Sequence, residues 1–190
     1  MTRDGGQTDE ELAARAAGGD RAAFDGLVRR HKVALYRFVR RYVGHSEDAY
    51  DVLQNTFLSA WRGLPRYDAA RPFLPWLRTI ALNKCRDFGR RQFVRRLMLR
   101  AHATEPVDPP GLTAEADLES VEAYRLGRVD AAIAKLPPFY KEPLLLTIVS
   151  GLSHIEAAKL LKTTPKAIEM RVYRARRKIQ DAAGDFKTEG

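Results

Sequence analysis

A chain of 190 residues is long enough for one ordinary domain or two small ones, and its 45% hydrophobic content is that of a globular protein. A net charge of +9 and a pI near 9.9 call for an acidic partner, with nucleic acid the first candidate and a membrane surface the second. No apolar run approaches the roughly 20 residues that span a bilayer, and Met1 to Gly6 lacks the hydrophobic core of a signal peptide, so the expected location is the cytoplasm without membrane insertion.

Nearly every segment has helical rather than strand periodicity. Residues 1–20 read as a tail and the start of the first helix. From Phe24 the apolar residues Leu27, Val28, Leu35, Val39 and Tyr42 recur at three- and four-residue intervals, arginines fill the other face, and Gly44 stops the helix. Ser46, with Glu47 and Asp48 behind it, starts a second helix that runs to Gly63. On it Asp48, Asp51, Gln54 and Asn55 share one face, while Leu53, Phe57, Leu58 and Trp61 turn towards a core. Leu64 to Pro72 is a loop. A third long helix starts near Phe73, with Pro75 in its first turn where a missing amide costs little, and continues past Arg91. Between Arg86 and Arg100 it holds six arginines and one acid, Asp87.

Residues 101–117 contain Pro106, Pro109, Pro110 and Gly111, and their ionised groups are Glu105, Asp108, Glu115 and Asp117. That composition reads as a flexible acidic linker, and halves joined by it are expected to move independently when free. Helical signals resume from Leu118 to Leu136, break at Pro137-Pro138, and return from Tyr140 to Val149 before Gly151. The expected fold is all-α. Two small helical domains, 21–100 and 118–183, flank the linker, and 184–190 form a tail.

The most informative stretch runs from Ser153 to Lys178. Ser153 and Glu156 form an S-x-x-E capping box that opens one short helix. Thr164 and Pro165 supply an N-cap and a favourable first residue for the next. Ala158 is small enough for the two helices to cross closely, and Ile168 can fill the space between them. This is a helix-turn-helix, with a cationic second helix suited to a DNA major groove. Lys166, Glu169, Met170 and Tyr173 are placed to read base edges, and Arg171 and Arg174 to reach bases or phosphates. Arg176, Arg177 and Lys178 come later, as phosphate contacts or a solvated helix end.

No catalytic constellation competes with a binding role. His31, His45, His102 and His154 are scattered without metal-ligand spacing, and no glycine-rich phosphate loop is present. Cys85 is the sole cysteine, so an intramolecular disulfide is excluded; it reads as a small buried apolar residue. No cofactor, metal or enzymatic activity is expected.

Several motifs in order resemble the extracytoplasmic-function sigma factors, the small two-domain members of the sigma-70 family that direct bacterial RNA polymerase to promoters. Asp51-Val52-Leu53-Gln54-Asn55-Thr56-Phe57 is similar to that family's D-L-V-Q-x-x-F helix. Arg71-Pro72-Phe73-Leu74-Pro75-Trp76-Leu77, continuing through Asn83 to Arg86-Asp87, is similar to its R-P-F-x-x-W-L…N-x-x-R-D pattern. Leu136-Pro137-Pro138, Leu144-Leu145-Leu146 and Arg174-Ala175-Arg176 match its C-terminal domain. The resemblance covers Ala23 to Ile179. It implies that Asp48, Asp51, Gln54 and Asn55 dock on core RNA polymerase. It also implies that Arg66, Tyr67, Asp68 and Arg71 in the loop, with Asn83, Arg86, Arg90 and Arg91 on the third helix, bind the minus-ten element. Lys166, Glu169, Met170, Arg171, Tyr173, Arg174 and Arg176 would bind the minus-thirty-five element. An anti-sigma factor, often membrane-bound in this family, is the implied regulator. A sigma-like decoy that only binds an anti-sigma factor would have eroded DNA-facing arginines, and a stand-alone regulator would not need the docking motif.

Four positions depart from the family pattern. Lys162 stands where a turn glycine is common and is expected to adopt a left-handed conformation. Lys166-Ala167 replaces Gly-Thr, and Glu169 replaces a basic residue. These bear on promoter sequence rather than on fold.

Overall fold

The computed structural model describes residues 6–102 and 129–184. The linker reading beyond His102, the helical signals from 118 to 128 and the tail from 185 fall outside them.

A short helix, α1 (Asp9–Ala17), opens the fold. Its start is a capping box: Glu11 N–H donates to Thr8 Oγ1 at 3.2 Å, and Thr8 N–H to Glu11 Oε2 at 2.9 Å. Residues 1–20 read as a tail and the start of the first helix; the T-x-x-E signature at Thr8 instead opens a separate short helix ahead of α2. Helix α2 (Arg21–Val43) is capped by Asp20, which accepts from Ala23 N–H at 3.0 Å, and ends on Gly44 at φ 98°. Only a residue without a Cβ adopts that angle freely. Helix α3 (Ser46–Gly63) starts where expected, but Ser46 is its first residue; the N-cap is His45, which makes no side-chain cap bond. A single 3₁₀ turn, Leu64–Arg66, then leads through the loop to α4 (Phe73–His102).

Residues 129–135 form helix α5. Helix α6 (Pro138–Leu144) opens into a wider π-type turn at Leu145–Val149, where Ser150 N–H reaches back five residues to the Leu145 carbonyl at 3.0 Å. Helices α7 (His154–Leu161) and α8 (Pro165–Gly184) complete the chain. No strand occurs among the described residues.

Two apolar clusters hold these helices. One lies within the first half, where Leu12 of α1, Leu27 of α2, Leu53 of α3 and Phe73 and Leu77 of α4 are buried together. The other crosses between the halves. Phe38, Val39 and Tyr42 (α2), Val52 (α3), and Leu82 and Cys85 (α4) share it with Ile133, Leu136, Leu144, Leu145, Leu146, Ile168 and Val172. The halves therefore pack on each other, against the expectation of independent motion. Linker composition says nothing about the apolar faces at its two ends, and those faces are complementary. The expected core positions hold, with one exception. Leu58 is 52% exposed because it lies on the outer side of α3, flanked by the buried Thr56 and Ala60.

Candidate nucleic-acid interface

The cationic helix α8 is set by its inner spine. Ile168, Val172 and Ala175, at helical spacing, are buried against α6 and α7. Ala157 and Ala158 of α7 are buried opposite them, so the close crossing rests on small residues. The turn between α7 and α8 is tight because Lys162 sits at φ 52°, ψ 51°, in the left-handed conformation expected of it. The capping box of α7 is complete, with Glu156 N–H to Ser153 Oγ at 3.2 Å and Ser153 N–H to Glu156 Oε2 at 2.8 Å. Thr164 Oγ1 accepts from Ala167 N–H at 3.2 Å and caps α8.

That spine leaves Lys166, Glu169, Met170, Tyr173, Arg174 and Arg176 on the exposed side of α8, with Arg177 and Lys178 further along. Lys166 Nζ donates to Glu169 Oε2 at 2.9 Å, which holds the Glu169 carboxyl below its usual range. The first turn thus presents a paired cation and anion rather than a bare anion. Arg171 is only half-exposed. Its guanidinium lies 4.0 Å over the Phe139 ring, near Thr163 Oγ1. Phe139 was not among the residues expected at this surface, and no sequence spacing links it to Arg171.

In the first half, the loop before α4 carries Arg66, Asp68 and Arg71, all exposed. Asp68 pairs with Arg71 at 3.2 Å and accepts from Ala70 N–H at 3.0 Å. The Tyr67 ring packs on Phe73 and Trp76, with centroids 5.8 and 4.9 Å away, and its hydroxyl donates to the Arg71 carbonyl. The hydroxyl contact ties the loop to itself and the half-buried ring braces it against the start of α4. Gly63 sits beneath, where an added Cβ would come within 3.1 Å of the Trp76 ring.

The minus-ten candidates on α4 do not share one fate. Asn83 is exposed and lies 3.5 Å from Arg86 Nη1. Arg90 pairs with Asp87. Arg91 turns towards α3. There, with Arg95, Gln92 and Phe88, it faces Asp48, Asp51 and Asn55 across a shallow groove of about 250 Å³. Three of the four docking candidates therefore line one groove, and Gln54 lies exposed beside it. Asn55 Nδ2 also donates to the Asp51 carbonyl at 2.8 Å.

Arg86 points at the second half. Its Nε and Nη2 donate to Glu142 Oε1 and Oε2 at 2.8 and 2.6 Å, a two-pronged pair. Tyr42 Oη donates to the same Glu142 Oε1 at 3.2 Å. Lys141 Nζ donates to the carbonyls of Tyr42, at 3.2 Å, and Ala134, at 2.5 Å. Burial pushes the Tyr42 phenol upward and brings the Lys141 ammonium down to about 8. Cys85, fully buried beside them, has its thiol pushed far up for the same reason, which removes the thiolate that redox chemistry would need. Arg41 to Asp130 at 2.9 Å and Arg78 to the Ser150 carbonyl at 2.7 Å are further ties between the halves. Sequence reasoning missed Lys141 and Glu142, since neighbouring charges in a short helix ordinarily signal solvent.

Residues 27–96 match sigma-70 region 2, and residues 126–179 match sigma-70 region 4. The chain belongs to the sigma-70 family, in its extracytoplasmic-function group. It is 38% identical over 171 residues to the RNA polymerase sigma factor NccH of Alcaligenes xylosoxydans xylosoxydans, covering 90% of this chain and 92% of that one. It is 34% identical over 186 residues to the sigma factor SigM of Mycobacterium tuberculosis, covering 96% and 88%. A solved structure of the sigma factor CnrH in complex with the cytosolic domain of CnrY superimposes with a TM-score of 0.70 at 34% identity, over 94% of this chain and 99% of that one. Sigma factors are non-enzymatic components of transcription initiation. No helix among the described residues of this sigma factor is long and apolar enough to cross a membrane.

Proposed function

We propose that this sigma factor binds core RNA polymerase, recognises promoters through their minus-ten and minus-thirty-five elements and directs initiation at them. The observation that carries the reading is the split of α8 into a buried apolar spine and an exposed row of Lys166, Glu169, Met170, Tyr173, Arg174 and Arg176. A helix built this way, held by a short turn against a supporting helix, fits a major groove. Base edges are met by the first turns, and later cations meet phosphates. Glu169 is suited to accept from a cytosine amino group, with Lys166 alongside for a guanine or a phosphate.

In the first half, Arg66, Tyr67, Asp68 and Arg71, with Asn83, Arg86, Arg90 and Arg91, serve the minus-ten element. A cationic face bordered by polar loop residues suits an unpaired strand. Tyr67 would have to leave Phe73 and Trp76 to stack on a base. The groove carrying Asp48, Asp51 and Asn55, with Gln54 at its edge, docks on the polymerase through carboxylates that need a basic partner surface. CnrH has been solved with the cytosolic domain of CnrY, and this sigma factor is read in the same way as the target of an anti-sigma factor in the cytoplasm.

Run-off transcription with purified core RNA polymerase on genomic fragments tests the reading. Start sites that appear only with the protein, and vanish when Arg171 and Arg174 are replaced by alanine, are expected. Absence of any binding to core would overturn it in favour of a decoy.

A further inference from the structure

The outward face of α8 is divided by charge as well as by depth. At a step of roughly 100° per residue, Lys166, Glu169, Met170 and Tyr173 fall within one arc opposite the buried spine of Ile168, Val172 and Ala175. Arg174 and Arg176 flank that arc on its two sides, and Arg171 lies further round, stacked on Phe139. A helix laid in a major groove turns its central arc to the base edges and its flanks to the phosphates on either wall. The arginines are therefore placed for the walls. What faces the bases is one ion pair, a methionine and a tyrosine.

An anion between two rows of phosphates is costly unless it has partners. Glu169 has one already, since Lys166 Nζ donates to its Oε2 at 2.9 Å, and the two side chains are 74% (Lys166) and 51% (Glu169) exposed. The pair presents an acceptor and a donor side by side, one hydrogen bond apart. The major-groove edge of a G·C pair is its complement. Cytosine N4 donates and guanine O6 accepts there, and the two atoms, bonded to each other, are about 2.9 Å apart. Guanine N7, next to O6, gives the ammonium a second acceptor. An A·T pair also has a donor beside an acceptor at its centre. Its flanks are wrong, however: adenine N7 would repel the carboxylate, and the thymine methyl would stand against the ammonium.

We propose that Lys166 and Glu169 act as one reader of a single G·C pair in the minus-thirty-five element, Glu169 accepting from cytosine N4 and Lys166 donating to guanine O6 and N7. This role presupposes that α8 serves the minus-thirty-five element, as proposed above. Two departures from the family pattern, a lysine and a glutamate three residues apart, are thereby the two halves of one device.

The experiment uses holoenzyme assembled from the full-length protein and core RNA polymerase. The probe is a promoter duplex found by run-off transcription and randomised across its minus-thirty-five element; sequencing the bound fraction gives the base preference at each position. The natural protein should favour C·G over A·T about tenfold at one position, as a good base contact does. Glu169→Gln should move that preference from cytosine to adenine, because a side-chain amide pairs with adenine N6 and N7. Lys166→Ala should reduce discrimination severalfold at the same position and leave the others unchanged. Both residues lie on the surface, so neither substitution threatens the fold. A defined element whose preferences are the same in the natural protein and both variants would overturn the reader alone. A holoenzyme that selects no base at any of these positions would overturn the minus-thirty-five role of α8, and the reader with it.

Discussion

Lys141 and Tyr42 meet across the two halves, the ammonium donating to the Tyr42 carbonyl at 3.2 Å and standing 4.9 Å from the centre of its ring. A charged group is thereby placed inside the joint with few groups to solvate it. Glu142 and Arg86 lie alongside, so the polar part of the joint is a set of mutually dependent charges within an apolar surround. Burying such a set contributes little net stability, whereas removing one member leaves the others uncompensated. The set fixes how the halves meet more than how strongly.

The first prediction concerns pH. Burial lowers Lys141 from an ordinary 10.5 to about 8. Below about 8 the amine is protonated both folded and unfolded, and the full cost of a buried cation is present. Between about 8 and about 10.5 the unfolded chain holds the extra proton, so stability rises with pH across that window. The contribution of Lys141 to that rise should amount to about 3 kcal/mol. The folded Tyr42 phenol and Cys85 thiol keep their protons through the window while the unfolded chain loses them near 10 and 9, so these two groups lower stability as pH rises and offset part of the gain. They are common to the natural protein and Lys141→Met, so the difference in urea unfolding stability between the two should move in favour of the natural protein across the window. A difference that stays constant with pH would refute the assignment.

A second prediction concerns α1. Glu10 Oε1 accepts the Phe73 N–H at 3.0 Å, satisfying a free amide at the start of α4. Asp9 binds α2 alongside, through Arg30 at 3.0 Å and His31 at 2.7 Å. Glu10→Ala should cost about 1 kcal/mol, as loss of an N-terminal cap does. Glu10→Gln, which keeps the acceptor, should lose about half of that. Thermal unfolding of the two variants would show the order; equal effects would mean that charge rather than the hydrogen bond matters.

Much of this was readable from the chain. Periodicity places α2, α3 and α4, and the capping residues Ser153 and Thr164 place α7 and α8, because those signals act within one or two turns. The left-handed Lys162 was legible only through the family resemblance, which puts a turn glycine at that position. What was not legible depends on partners far apart in sequence. Nothing near Glu142 announces Arg86, 56 residues away. Nothing near Phe139 announces Arg171, and the Phe73 cap by Glu10 spans 63 residues. The shared apolar cluster was hidden behind a linker whose composition describes only itself. Periodicity put Arg91 beside Arg90, yet a step of roughly 100° turns it into the groove with Asp48 and Asp51.

Lys162 itself supplies a third prediction. A side chain at φ 52° is held close to its own backbone, at roughly 1 kcal/mol relative to glycine. The residue is exposed, and its N–H donates to the Lys159 carbonyl at 3.4 Å, a bond that glycine would keep. Lys162→Gly should therefore stabilise the protein by about 1 kcal/mol and raise its melting temperature. Lys162→Val should lower it by more, since a branched side chain tolerates that conformation poorly. A destabilised glycine variant would show that Lys162 makes a compensating contact.

The last prediction separates two arginines on α8 by what holds them. Arg174 is exposed on the outer face and is free to meet a phosphate, whereas Arg171 is stacked on Phe139 and its approach is fixed before DNA arrives. Arg174→Ala should weaken duplex binding to a similar extent across sequences and lower the salt slope by about one. Phe139→Ala leaves every charge in place, so the slope should hold while affinity falls by about 0.5–1 kcal/mol, the worth of an exposed cation–π contact. Phe139→Trp should restore it, because the larger ring offers a better face to the same guanidinium. Titrations of a promoter duplex at several salt concentrations read both quantities. If Phe139→Ala changed the slope as Arg174→Ala does, the ring would be acting through the position of other cations, and Arg171 would be no more fixed than its neighbours.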